Sequence, residues 1–428
     1  MISINLSRSI FSIVKVSLTF LLAALTVPAQ AADSTVYYAT TRLNEGSASN
    51  PLYGIKRHLD LGQGSIEYGK ARVREPAGLP PLEQSPDWTT YKSRMKICDT
   101  AWQGATVDSV KAQDQWTFFK QVAGWKGTIV VFMHGYDETF EGSLRDAAVI
   151  ANEIEKRDGK RELPVMAILF SWPSQGKTTD YAMDEANIEW SQAPFREFIG
   201  RLATARPPET ALHIVAHSLG SRLAFGLTDD LRSYSGPPLT KLLFSSSDYD
   251  FHQALQRKDL LERLVEKEVF ILVSDRDGPL ITSQLLHGSP RLGRPIDPPP
   301  VSRKPEDYTK KTFWKQILNE AADMLITDDT YDPPQVSSWL ERQAGRDIEF
   351  GNRTRLFDVS EIVTADLGHR LAWPVIGSLL SVSESLYPLS TRIIHKQPDK
   401  AIMEQSNGKP AYLFRFHRIT QDRFGARQ

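Results

Sequence analysis

The chain has 428 residues, 41% of them hydrophobic and 24% charged, with a formal net charge of -1. That length supports one large domain or two medium ones, and the near-neutral balance leaves no basic field to recruit nucleic acid or an anionic membrane surface. Cys98 is the single cysteine, which excludes an intramolecular disulfide and a cysteine-based zinc site.

At the N-terminus, Arg8 and Lys15 precede an apolar run from Val16 to Val27, followed by Ala29-x-Ala31. This is the layout of a secretory signal peptide, with cleavage expected after Ala31. The alternative is an uncleaved membrane anchor, but the apolar core is short against the roughly 20 residues of a membrane span. Residues 1–31 are therefore expected to be removed. Residues 32–428 are expected to form one domain without a stable membrane span, exported to the periplasm or the outside medium.

Beyond the leader, Thr35 to Thr41 reads as a first strand. Gly127 to Gly135, "GTIVVFMHG", is a β-branched apolar run of the buried-strand type. Ser143 to Arg157 then sets Leu144, Ala147, Ala148, Ala151 and Ile154 on one helical face. Pro164–Trp172, Ala211–His217, Thr240–Ser247 and Glu268–Ser274 are four more buried strands. The strand-helix rhythm argues for an α/β fold whose mostly parallel sheet is covered on both faces. After Gly293 the pattern loosens into a proline-rich linker, Arg294 to Pro300. Asp307 to Ile326 carries Phe313, Ile317, Ala321 and Leu325 at helical spacing, and sheet-like signal returns at Arg353 to Ile362. Residues 294–352 read as an insertion, either a packing excursion or a lid whose Phe313, Trp314 and Ile317 cover an apolar acyl pocket.

Gly176-Lys177-Thr178 resembles the end of a phosphate-binding loop, but Ser171 stands where the first glycine is needed. Pro173 also removes a backbone donor from a loop whose chemistry is backbone donation. With no HExxH or EF-hand spacing and no clustered histidines, neither a metal nor a cofactor is expected.

The chemistry concentrates at "LHIVAHSLGSRLAF", Leu212 to Phe225. Small-x-Ser-x-Gly between a strand and a helix is a nucleophile elbow, a turn so tight that Ala216 and Gly220 must be small. Ser218 is the candidate nucleophile. The N–H of Leu219 is one candidate oxyanion donor. Tyr136 N–H, after "TIVVFM" and His134-Gly135, is the other. His134 itself is expected to be a structural hydrogen-bonding residue. The base should come last in the chain, and His287, His369, His395 and His417 all follow the candidate acids. His369, in a loop after a strand and led by Gly368, is favoured, whereas His417 reads as part of a strand. For the acid, Asp248 and Asp250 follow one strand and Asp275 and Asp277 the next; spacing does not choose between them.

These stretches resemble a broad bacterial family of α/β-hydrolases of unassigned function. The resemblance lies in "HGYDETF" (His134 to Phe140), "FSWPS" (Phe170 to Ser174) and "AHSLG" (Ala216 to Gly220), with "YYATTR" (Tyr37 to Arg42) as the opening strand. "EWS" (Glu189 to Ser191), "SDRDGPLITS" (Ser274 to Ser283), "LHGSPRLG" (Leu286 to Gly293) and "LGH" (Leu367 to His369) extend it over roughly residues 35 to 372. The resemblance implies the α/β-hydrolase fold and serine-hydrolase chemistry with Ser218 and His369. It also favours Asp277 as the acid, with Asp248 the runner-up. Asp137 in place of an Asn, Arg276, Pro279 and Arg370-Leu371 depart from the family's usual residues around the site.

The expected substrate is a small-molecule carboxylic ester, hydrolysed through an acyl-enzyme. Amide, peptide or thioester cleavage uses the same triad, and a non-catalytic exported binding protein keeping a hydrolase shell is the reading from a different class.

Overall fold

The computed structural model describes residues 33–59, 66–82, 85, 88–157, 164–229, 237–295, 353–360, 369, 371–381 and 413–415. The leader expected at residues 1–31, most of the segment 294–352 read as an insertion, with Phe313, Trp314 and Ile317, and His395 and His417 lie outside them.

The described strands are β1 (Asp33–Thr40), β2 (Arg42–Asn44), β3 (Tyr53–Arg57), β4 (Glu67–Arg74), β5 (Val107–Gln113), β6 (Thr128–Met133), β7 (Val165–Ser171), β8 (Ala211–His217), β9 (Leu239–Ser245), β10 (Val265–Val273), β11 (Thr354–Asp358) and β12 (Leu413–Arg415). Ten of them form one sheet in the order β12-β11-β10-β9-β8-β6-β7-β1-β4-β5, and β2 pairs with β3 in a separate hairpin. Pairing is parallel from β12 across to β1 and antiparallel for β1–β4 and β4–β5. This is the mostly parallel α/β architecture that the sequence rhythm implied.

The apolar strand runs exist because both faces of the sheet are covered. In β6, Ile129, Val131 and Met133 enter one apolar layer while Val130 and Phe132 enter the other. In β10, Val269, Ile271 and Val273 face one way and Phe270 and Leu272 the other. Period-two side chains leave no polar face to tolerate water. The helix Phe140–Arg157 covers one face through Leu144, Ala147, Ala148, Ala151 and Ile154, the five residues whose spacing marked it. The helix Trp373–Leu380 packs on the same layer, and the helices Gln115–Ala123 and Gln192–Ala205 seal the opposite face.

Strands β8, β10 and β11 all point their carboxyl ends to the same edge of the sheet. In a parallel α/β sheet that edge gathers loops from several strands over one crevice. Ser218 follows β8, Asp277 follows β10 and His369 follows β11.

Candidate active site

Ser218 directly follows β8 and opens a single 3-10 turn, Ser218–Gly220, which runs into the helix Ser221–Gly226. Its φ is +51°, a left-handed conformation that side-chain-bearing residues rarely adopt. The turn is that tight because the helix lies almost on β6. A Cβ at Gly220 would come within 2.7 Å of the carbonyl oxygens of Met133 and His134. Backbone cannot retreat from such a contact, so glycine is required two residues after the serine.

His369 Nε2 lies 2.9 Å from Ser218 Oγ, and its Nδ1 lies 2.7 Å from Asp277 Oδ1. A carboxylate only accepts, so Nδ1 carries the proton and Nε2 accepts from the serine hydroxyl. Asp277 is fully buried and caps the helix Gly278–His287, where its Oδ1 also accepts from Leu280 N at 3.0 Å. Helix capping thus orients the same oxygen that faces the imidazole. Pro279 falls in the first turn of that helix, where a missing N–H costs nothing, so this departure leaves the cap intact. Burial pulls the His369 pKa down, but the charge of Asp277, its hydrogen bond and the nearby Asp248 charge together hold it above the ordinary imidazole value.

Asp248 is buried and follows β9, the strand next to the elbow. Its backbone N–H donates to Ser218 O at 3.1 Å. Its carboxylate accepts from Tyr181 Oη at 2.5 Å and Ser283 Oγ at 2.6 Å and pairs with Arg291 Nε at 3.4 Å. Burial disfavours its charge, but Arg291, Arg222 and the two hydroxyls hold its pKa below the usual carboxylate value. Asp250 caps the short helix Phe251–Gln256 instead. His287 points Nε2 at Glu185 Oε1, 3.0 Å away.

The loop after β6 carries Tyr136. A Cβ on Gly135 would lie 2.8 Å from Ser218 Cβ and 2.9 Å from His217 Nδ1, so this backbone presses directly on Ser218. Tyr136 N–H belongs to the next peptide unit. Leu219 N–H is among the first amides of its helical run and so has no acceptor within the helix. His134 is buried and stacked on Trp172, with ring centroids 4.8 Å apart. Its Nδ1 donates to Gly135 O at 2.8 Å, and its Nε2 accepts from Trp172 N at 3.2 Å. Burial drives its pKa well below the usual value, which fits a neutral ring with a structural role.

Three residues that sequence reasoning passed over support this geometry. His217 Nε2 donates to the His369 backbone carbonyl at 3.0 Å, tying His369 to the elbow. Arg42 and Asp184 hold the loop that follows Tyr136. In the rejected phosphate-loop segment, Gln175 N donates to Asp184 Oδ1 at 2.7 Å, so this loop already wraps a carboxylate.

A cavity of about 450 Å³ lies along the helix Ser221–Gly226, walled by Glu185, Arg222, Arg257, His287 and Arg291 among others. Its walls carry ion pairs, Arg222 with Glu185 and Arg257 with Asp229, each at 2.5 Å. An apolar acyl chain entering there would strip water from charges without compensation. Among the described residues, no group of three or more His, Cys, Asp or Glu is placed to hold a metal ion. No described helix is long and apolar enough to cross a membrane.

Residues 111–337, just over half of the chain, match the family described as alpha/beta hydrolase of unknown function (DUF900). An uncharacterized protein of Nostoc sp. (strain PCC 7120) is 26% identical over 149 residues, which span 31% of this chain and 37% of that protein's length.

Proposed function

The chain belongs to the DUF900 family of α/β-hydrolases of unknown function, and from that membership and its site geometry we propose that it is a serine hydrolase cleaving carboxylic esters. The observation that carries this reading is the hydrogen-bonded series Ser218 Oγ, His369 Nε2, His369 Nδ1, Asp277 Oδ1, at 2.9 and 2.7 Å. Ser218 attacks the carbonyl carbon while its proton passes to His369 Nε2. Tyr136 and Leu219 N–H groups hold the oxyanion, each such donor contributing about 3 kcal/mol to the transition state. The imidazolium, stabilised by Asp277, then protonates the leaving alcohol. In the second half, His369 takes a proton from water, hydroxide attacks the acyl-serine, and the proton returns to Ser218 as the acid departs. The leader read at residues 1–31 makes this an exported enzyme, whose mature N-terminus is expected at Ala32; terminal sequencing of the exported protein checks it.

A fluorophosphonate probe on residues 32–428 tests the core of the proposal. Labelling should be lost in Ser218→Ala and His369→Ala, and Ser218→Ala should lower turnover by about 10⁶-fold. A folded wild type that takes no label and turns over no ester would refute the mechanism. A matched ester and amide sharing one acyl group separates esterase from amidase activity.

A further inference from the structure

We propose that Arg42 and Asp184 are positioning residues for the oxyanion donor: from two sides they pin the peptide units after Tyr136 and so fix the direction of its N–H. The inference rests on the serine-hydrolase reading above.

Arg42 is almost fully buried just beyond the end of β1. Its Nε donates to Ser171 Oγ at 2.8 Å and its Nη1 to Gly54 O at 2.7 Å and Ser174 O at 3.3 Å. Its Nη2 donates to Glu138 O at 3.0 Å. One side chain thereby joins the β2–β3 hairpin, the end of β7, the loop after β7 and the loop after β6. Burial lowers its pKa to about 10, with Asp184 and Glu138 opposing the shift, so it stays charged at neutral pH. A buried ion of this kind is weak as a stabiliser, since well-packed apolar residues often do as well or better. Its geometric effect is the more specific one.

Asp184, also buried, works from the helix Tyr181–Trp190. Its Oδ2 accepts from Asp137 N at 3.2 Å and from Ser174 Oγ at 2.6 Å. Ser174 Oγ in turn accepts from Glu138 N at 3.1 Å. Asp137 sits at φ +59°, a conformation that persists only where the surroundings hold it. Asp and Asn are the non-glycine residues that tolerate it best, so Asp in place of the family's Asn keeps the turn.

The consequence for Tyr136 follows from peptide planarity. The plane containing its N–H also contains Gly135 C=O, which accepts from His134 Nδ1. The plane on its other side ends in Asp137 N–H, held by Asp184. Arg42 holds the next carbonyl but one, at Glu138. With its own plane and the next one fixed, the donor cannot rotate away as charge develops on the substrate oxygen. This is preorganisation supplied by residues that touch no substrate.

The test uses Arg42→Lys and Asp184→Asn, with active sites counted by fluorophosphonate titration. The readouts are ester kinetics and inhibition by a trifluoromethyl ketone of the same acyl group, whose adduct with Ser218 carries the oxyanion. Each variant should lose about 10- to 100-fold in kcat per active site, the scale of a misplacement near 1 Å. KM should stay within about threefold, and the ketone's Ki should rise by the factor lost from kcat/KM, as expected for transition-state binding. A purely structural role would lower the melting temperature and the titratable fraction but leave kcat per site and Ki unchanged; that result overturns the proposal. Should Arg42→Lys fail to fold, Asp184→Asn and Ser174→Ala carry the same expectation. A wild type that neither turns over ester nor binds the ketone refutes the hydrolase reading itself, and this inference with it.

Discussion

Gly135→Ala isolates the proposed oxyanion loop from the rest of the site. Gly135 is not among the glycines with positive φ, so alanine meets no backbone strain there and the whole effect is steric. The new methyl would start 2.8 Å from Ser218 Cβ and 2.9 Å from His217 Nδ1. Carbon atoms in contact prefer about 3.5–4.0 Å, so the loop must withdraw by roughly 1 Å. The elbow cannot retreat, because Gly220 is already against the carbonyls of Met133 and His134. Such overpacking costs about 1–3 kcal/mol of fold stability. Losing one oxyanion donor costs about 2.7–4 kcal/mol of transition-state stabilisation, or 10²- to 10³-fold in kcat. Steady-state hydrolysis of a p-nitrophenyl ester, with a denaturant titration alongside, measures both. Retention of more than a tenth of wild-type kcat by a folded Gly135→Ala enzyme would refute the argument that this loop supplies the donor.

The two carboxylates should separate by variant. Asp277→Asn leaves the shape but disturbs the imidazole's tautomer and charge, and should cut kcat by about 10⁴. Asp248→Asn strands buried Arg291 and should cost about 3–5 kcal/mol in denaturant unfolding while kcat falls less than about tenfold. The reverse ranking would reassign the acid. Because His369 must be neutral to act as base, kcat/KM should rise with pH along a limb whose midpoint lies above the ordinary imidazole value. The same raised pKa adds fold stability at low pH, which is lost as pH climbs through the folded-state value. Asp277→Asn removes the opposing charge and leaves burial in control, so an NMR titration of the His369 ring should move to lower pH. An unmoved titration would dissociate the two residues.

What could be read from the chain alone depended on how local each signal is. Strands β6, β7, β8 and β10 are covered on both faces, so their apolar runs announce themselves, and the helix Phe140–Arg157 shows its buried stripe. Strands β4 and β5 were passed over. "EYGKARVR" and "VDSVKAQ" lie at the antiparallel end of the sheet, where β4 alternates buried and exposed residues and no residue of β5 is fully buried, which leaves only a few apolar positions. Ser218 carries a local motif and His369 a local loop context, whereas Asp277, joined to His369 across 92 residues, is favoured only through a family resemblance. Arg42, Asp184 and His217 were invisible as functional residues. Charged and polar side chains read as surface by default, and only the assembled packing shows these three buried and aimed.

The choice between Asp248 and Asp277 shows why spacing was silent there. Both stand a few residues beyond a parallel strand, at the same edge of the sheet. They differ in which strand. Asp248 follows β9, the immediate neighbour of the nucleophile's β8, so its chain passes close enough for its N–H to reach Ser218 O. Its carboxylate is committed to Tyr181, Ser283 and Arg291. Asp277 follows β10, two strands and roughly 10 Å from β8. His369 enters from β11, beyond both, and must reach back across β10 to meet Ser218. In doing so it brings Nδ1 to 2.7 Å from Asp277. The proposed acid is therefore picked out by strand order, a property of the sheet that no local window contains. Combining Asp277→Asn with Ser246→Asp or Ser247→Asp, which moves the carboxylate to the loop after β9, should accordingly fail to restore turnover, because β9 adjoins β8 and is not the strand whose end meets the imidazole Nδ1; restored turnover would refute the strand-order argument.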